Sequence, residues 1–362
     1  MRRPSKIPRL WLALLALPLL GALPPQPPPP VVTGLASFAL VVSNLDTALK
    51  FYHDGLGLEI VTLPTSVTDP AFDQVMNTPA ARLRYARLRV PNEPYAIELD
   101  EFSGIPATVT EINHNDPGSS FLNFGFLDVA PVFDRLRAAN TVAIAKSGLP
   151  RGEKPGQLSG AWVRDPDGHL LELMQGGWDA DRKSLVGVTG AYRGHFGMTM
   201  WSHLQALAFY RDLLGFDLQD GFPPMVGPGR YMEAGPILSA MLGVPAQAEF
   251  AGVHGHCASA HCEMFDFKNA PRTEFDPPLQ DPGASYLSVW VSNLDRLLPR
   301  LKAAKIAIVT TGGVPVLVNL PTPTWVLQAG ELPPIKITQS RELLVRDPSG
   351  FPILLMQPVT GP

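Results

Sequence analysis

The side chains best equipped for chemistry crowd into one nine-residue stretch, His254–Cys262, which reads HGHCASAHC and contains the chain's only two cysteines. Imidazole and thiolate are the usual donors to zinc and copper, and two thiols can also pair oxidatively. Strand alternation puts His254 and His256 on one face and turns Cys257 to the other, so the five donors converge only if the chain turns between them. The spacing matches no standard zinc motif. Read as a hairpin, the stretch makes a cross-strand Cys257–Cys262 disulfide the expectation, with a Cys/His metal site as the alternative. Two glutamates stand out for the opposite reason. Glu98 in AIELDEF and Glu172 in HLLELMQ interrupt apolar strands. A carboxylate turned into such an interior costs several kcal/mol unless a partner or a metal compensates, and the other reading is a solvent-facing alternation. His195 opens a strand after the TGAYRG linker, as a ligand or as an exposed strand end. No GxSxG elbow, phosphate-binding glycine loop or HExxH helix is present.

The elements that must position these residues repeat along the chain. LVVSNLDTALKFYHDGL at 40–56 matches MTMWSHLQALAFYRDLL at 198–214, aligning Phe51-Tyr52 with Phe209-Tyr210. IELDEF at 97–102 matches CEMFDF at 262–267, and VRDPDGHLLELMQ at 163–175 matches VRDPSGFPILLMQ at 345–357. Each half divides again into two strand-then-helix starts. Strands at 38–42, 121–126, 195–200 and 286–291 lead through Asn44, Asp128, Ser202 and Asn293 as caps into amphipathic helices. The Asp165–Gly168 and Asp347–Gly350 sequences are tight turns joining apolar strands. GFPPMVGPG at 221–229 and the insertion at 319–334 read as loops, the second placed where it could cover a cleft. Tyr52, Phe133 and Tyr210 fall at helical core spacing.

Length and composition fit this picture. The 362 residues exceed one core and point to two domains, and 45% hydrophobic with 17% charged residues is a globular composition. Residues 1–30 differ: four cations precede an uncharged run, Leu10–Leu23, and then a proline-rich stretch. As a helix that run would span about 21 Å, short of the hydrocarbon core, so an export signal is expected and an uncleaved N-terminal anchor is the alternative. Losing the leader's cations moves the formal charge from −4 to −8, which excludes nucleic acid as a partner because phosphate neutralisation needs a basic surface. The expected location is therefore periplasmic or secreted, or membrane-anchored through 10–23.

A strand, a helix and three further strands form a curved sheet with the helix on one face. The SNLDTALKFYHDGLGLE and LQALAFYRDLLGFD helices and the RDPDGHLLELMQ and RDPSGFPILLMQ hairpins resemble the vicinal-oxygen-chelate superfamily of glyoxalases, bleomycin-resistance proteins and extradiol dioxygenases. The resemblance runs from about Val31 to Pro358. It implies an α+β fold of four βαβββ modules in two tandem domains whose curved mixed sheets enclose clefts. The domains would be 31–178 (modules 31–104 and 118–178) and 193–362 (modules 193–270 and 283–362), joined by a linker at 179–192.

The resemblance also implies a divalent ion, Zn, Ni, Mn or Fe, held by first-strand and last-strand side chains of each module. Those positions fall on Ser37 and Glu98, Phe121 and Glu172, His195 and Glu263, Tyr286 and Leu354. Sequential pairing leaves Glu98 and Glu172 in one cleft and His195, Glu263 and Tyr286 in the other. Pairing modules two and three instead brings His195, Glu172 and Glu263 together, with Glu172 or Glu263 as the base. Because no sequential cleft shows a full ligand set, the expected function is a small-molecule binder whose metal site is degenerate, and the alternative is a metal-dependent lyase, isomerase or dioxygenase using His195 with Glu172 and Glu263. Fold hosts many chemistries and does not choose between them.

Overall fold

The computed structural model describes residues 31–90, 92–139, 143–144, 159–175, 187–222, 225–258, 260–326 and 334–359. The leader at 1–30 and part of the 179–192 linker lie outside them. Among the described residues no helix is long and apolar enough to cross a membrane. Module one comprises β1 (Val32–Val41), α1 (Leu45–Leu49), β2 (Glu59–Val67), α2 (Ala71–Met76), β3 (Arg82–Arg89) and β4 (Ala96–Ser103). Module two comprises β5 (Ser120–Phe126), α3 (Ala130–Ala138), β6 (Ala143–Ile144), β7 (Ser159–Arg164) and β8 (Leu170–Gln175). Module three comprises β9 (Arg193–Met200), α4 (His203–Ala206), β10 (Asp217–Asp220), β11 (Met232–Glu233), α5 (Gly235–Leu242), β12 (Glu249–Cys257) and β13 (Ala260–Lys268). Module four comprises β14 (Ser285–Val291), α6 (Leu294–Ala303), β15 (Ala307–Ile308), β16 (Val316–Val326), β17 (Ile335–Arg346) and β18 (Pro352–Pro358).

These strands form two mixed sheets, and the sheets do not follow chain order. One runs β15-β17-β18-β14-β1-β4-β3-β2 with β16 beside β17; the other runs β10-β12-β13-β9-β5-β8-β7-β6 with β11 beside β12. Module one therefore pairs with module four across an antiparallel β1–β14 seam, and module two with module three across β5–β9. The sequential units 31–178 and 193–362 are not the sheet units; the swapped arrangement is the one formed. The connecting segments show what holds it. Residues 104–119 and 269–284 both cross between the sheets and hydrogen-bond to each other, Thr110 N to Pro282 O at 3.0 Å and Phe275 N to Pro117 O at 2.7 Å. Asp281 Oδ1 also accepts from Thr108 N, and Asp116 Oδ1 from Thr273 N.

The helices and the faces they cover share one core, which joins Phe38, Phe196 and Phe351 from three modules with Leu122, Met264 and Leu355. The Phe38 and Phe196 rings lie 5.3 Å apart. The opposite, concave faces are left for the clefts. Asn44 and Asn293 cap as expected, accepting from Thr47 N and Arg296 N. Ser202 makes no side-chain cap; the Asp266 carboxylate reaches across from β13 to take His203 N at 3.1 Å. After α1 and α4 the helix widens into π segments, Lys50–Gly55 and Leu207–Leu214, which carry the repeated Phe-Tyr pairs.

Those tyrosines lock the two sheets together. Tyr52 OH donates to Asp165 at 2.9 Å and Tyr210 OH to Asp347 at 2.8 Å, each phenol from one sheet and each turn from the other. The other oxygen of each aspartate accepts two turn amides, Asp167 and His169 in the first case, Ser349 and Phe351 in the second. The copies differ at one position. His169 places Nδ1 2.8 Å from Asp165 Oδ2 and Nε2 3.0 Å from Ala284 O, where the other turn has Phe351. The insertion read as a loop at 319–334 begins as strand: β16 extends to Val326 against β17, and 327–333 lie outside the described residues.

Candidate metal centre

The sheet of modules two and three gathers a His–His–Glu group on its concave face. β9 supplies His195; β13 supplies His261 and Glu263, which strand alternation turns the same way. One ligand atom from each lies within 4.8 Å of the others, and this is the group of three or more such donors found among the described residues. His195 Nε2 is 3.7 Å and His261 Nε2 3.3 Å from the Glu263 carboxylate, and the imidazole rings stand edge to face at 5.0 Å. Burial would raise the Glu263 pKa, but the two imidazoles outweigh it and hold the carboxyl well below its ordinary range. Two neutral imidazole nitrogens and one carboxylate, with positions left for other ligands, fit a divalent transition ion.

Glu172 shares this cleft without joining the group. It stands on β8 opposite Asn123 of β5, whose amide donates to its Oε2 at 2.6 Å. Burial, against that hydrogen bond and with help from the Glu263 charge, pushes its pKa up to about 7. Of the residues nominated from the sequence, His195 and Glu263 therefore meet, and Glu172 adjoins them.

The other nominations require correction. Glu98 belongs to the other sheet, where Arg87 pairs with it across β3–β4 and Tyr286 OH lies 3.3 Å away; it is no partner of His195. Tyr286 is in that second cleft too and cannot complete a set with His195 and Glu263. The Cys257–Cys262 disulfide is not formed, and both thiols are free and buried. In the β12–β13 hairpin Cys257 faces Ala260 and Cys262 faces Gly255. Such a diagonal pair is about 7–8 Å apart, outside the span a disulfide bridges. Burial raises both thiol pKa values, so these are packed, unreactive side chains. His261, the third donor, was hidden inside the HGHCASAHC cluster; the signal that singles it out is its two-residue spacing from Glu263. Of its neighbours, His254 is tied to Gly221 O at 2.7 Å and His256 sits exposed across from His261.

Aromatic rings wall the rest of the cleft. Phe121 occupies the first-strand position that would otherwise hold a ligand, and the tip of its ring closes on Gly197, where a Cβ would come within 2.0 Å of Cζ. His114, carried in by the crossing segment, packs against Phe121, Trp162, Phe265 and Phe267 at 4.6–5.6 Å between ring centroids. Neither of its ring nitrogens has a hydrogen-bond partner, and burial holds its pKa down to about 3. An unsatisfied buried polar group costs about 1–3 kcal/mol, so His114→Phe is expected to stabilise the protein by about that much at pH 7. The unfolded chain takes up a proton on His114 below about 6.5 while the folded ring resists until about 3, so the wild type loses stability across that window as pH falls. Urea unfolding at pH 7 and pH 5 measures both effects. A phenylalanine variant with no gain and an unchanged acid slope would show the ring to be satisfied.

Residues 34–173 match the model of the Glyoxalase/Bleomycin resistance protein/Dioxygenase superfamily. The chain carries a domain of that superfamily, and the match spans modules one and two, which lie in different sheets. A virulence protein, STM3117, of Salmonella typhimurium is 23% identical over 145 residues, 40% of this chain and 85% of that protein. Glyoxalase I from Zea mays is similar at 15% identity, over 89% of this chain and 92% of the maize chain, with a TM-score of 0.48. A dioxygenase-like protein of Bacillus subtilis is similar at 11% identity, over 92% of this chain and 87% of its own, with a TM-score of 0.46.

Proposed function

We propose that this is a metal-dependent enzyme acting on a small molecule in the cleft between modules two and three. The reading rests on the convergence of His195, His261 and Glu263 within 4.8 Å. A divalent ion held there supplies a Lewis acid for two neighbouring oxygens of a substrate, the chemistry of a lyase, isomerase or dioxygenase. Glu172 is the base. Its carboxyl, tuned near neutrality, takes a proton from a substrate carbon or hydroxyl beside the ion and can return it, while Asn123 holds the carboxylate in one orientation. The aromatic wall binds the apolar part of the substrate and keeps water away. A binder that has lost its ion is the competing reading, and the intact donor group speaks against it in this cleft. The leader composition supports export of the enzyme, with the mature chain beginning after the apolar run; N-terminal sequencing of the purified protein tests that.

The decisive measurement is metal content. Purified protein reconstituted with Zn, Ni, Mn or Fe and then desalted is expected to retain about one ion per chain. Removing a second-sphere group commonly costs metal sites 10–100-fold in affinity, so loss of a direct donor in His195→Ala or His261→Ala should cost more than about 100-fold. Failure of all four metals to bind the wild type would leave the binder as the correct reading.

A further inference from the structure

The concave face of the other sheet carries a second, independent site. There β16 and α2 roof the cleft, leaving a cavity of about 40 Å³ lined by Arg87, Glu98, Tyr286, Ser288 and Glu342 beneath apolar residues that include Val318 and Leu354. That is room for roughly three water-sized occupants. Its charges do not balance. The single guanidinium is taken by Glu98, and Tyr286 OH donates to Asp100 at 2.5 Å. Glu342, 2% exposed, receives Ser340 OH on Oε1 at 2.6 Å, while its Oε2 is buried with no hydrogen-bond partner. A buried carboxylate left this way is stable only with a proton or a cation beside it. Desolvation, and then the nearby Glu98 charge, push the Glu342 pKa up to about 7, so above neutrality the proton is given up readily.

The occupant can be narrowed further. Glu98, Asp100 and Glu342 do not come close enough together to form a three-donor group of the kind found around His195, which disfavours a tightly held divalent ion. Burial, and then the Glu98 charge, raises the Asp100 pKa well above its ordinary value, and its Oδ2 already receives the Tyr286 hydroxyl. Among the lining side chains, two carboxylates stand against one guanidinium, an excess of one negative charge beside the Ser288 and Tyr286 hydroxyls. Oxygen donors suit a hard cation, and an excess of one negative charge is neutralised by a single monovalent one. We propose that this cavity binds one monovalent cation, sodium, potassium or ammonium, against Glu342, as a structural site separate from the metal centre.

The test is thermal unfolding of the full chain at pH 8 in sodium, potassium, ammonium or choline chloride at equal ionic strength. Ligand linkage predicts a midpoint that rises with at least one small cation by roughly 2–4 °C and stays flat in choline. Glu342→Gln should raise the midpoint in choline and abolish the rise; Ser288→Ala, a milder change, should weaken it. Crystals grown in rubidium chloride should show an anomalous peak beside Glu342. Equal midpoints in all four salts would mean that water alone fills the cavity. A rise that persists in Glu342→Gln, or one seen only when magnesium or calcium chloride is added to the series, would equally overturn the proposal. None of these readouts depends on the ion at His195.

Discussion

Asp165→Ala is expected to destabilise the protein by about 3–5 kcal/mol, the range for removing one partner of a buried ion pair. The reason lies in what Asp165 holds. Its carboxylate receives the Tyr52 hydroxyl, the Asp167 and His169 amides, and the His169 ring. The ring has an acceptor at both ends, since Nε2 faces the Ala284 carbonyl, and only an imidazolium can donate to both. Although burial works against the charge, Asp165 outweighs it and raises the His169 pKa. Removing Asp165 strands a buried cation and a phenol together. Asp347→Ala strands only the Tyr210 phenol and two turn amides, because Phe351 stands in place of the histidine, and should cost less, about 1–3 kcal/mol. The sign of the pH effect follows from linkage. A histidine whose folded pKa is raised contributes fully below its unfolded value of about 6.5, and that contribution is lost as pH climbs through the folded value. Urea unfolding from pH 6 to pH 9 should therefore show the wild type losing stability as pH rises and His169→Phe losing it less steeply. Equal costs for the two aspartate variants, with parallel pH profiles for wild type and His169→Phe, would mean that His169 is neutral.

Glu172→Gln is the second large effect. Loss of a general base lowers turnover by roughly 10²–10⁴-fold, and since Glu172 stands outside the three-donor group, bound metal should remain at the wild-type level. Asn123→Ala should lower turnover less, by letting the Glu172 carboxylate swing, again with metal retained. Parallel measurement of metal content and turnover separates the roles. If Glu172→Gln strips the ion, Glu172 is a ligand and the proton must move through another group.

Much of this was legible in the residues. The fourfold punctuation, the Asn44 and Asn293 caps and the core positions of Tyr52 and Tyr210 follow from local rules of spacing and capping, which act within a few residues. Glu172 stands out because it interrupts an apolar strand, whereas His195 and Glu263 are nominated through the family resemblance, which implies ligands on the first and last strands of a module. Module pairing was not legible, because connecting segments of similar length permit either topology, and the β1–β14 and β5–β9 seams that settle it join strands far apart in the chain. His261 and the cysteines were misjudged for one reason. The hairpin register, with Cys257 opposite Ala260, determines which donors face the cleft and which face the core, and density of donors along the chain does not reveal register. Glu98 was misassigned because its partner, Arg87, becomes visible only once β3 and β4 are aligned.

The interleaved pairing of modules also dictates an order of assembly. The sheet of modules two and three can close as soon as the chain has been made through Lys268, since all its strands lie between Ser120 and that residue. The sheet of modules one and four cannot: β1, among the first strands to leave the ribosome, has its seam partner at Ser285–Val291. Long-range strand pairing is slow, and an exposed strand edge invites aggregation. One edge of β1 can pair with β4 early, while its other edge stays open until β14 is made. Premature termination between residues 269 and 284 would release a polypeptide whose inner sheet is whole and whose first strand, paired to β4 on one side, has nothing to join on the other.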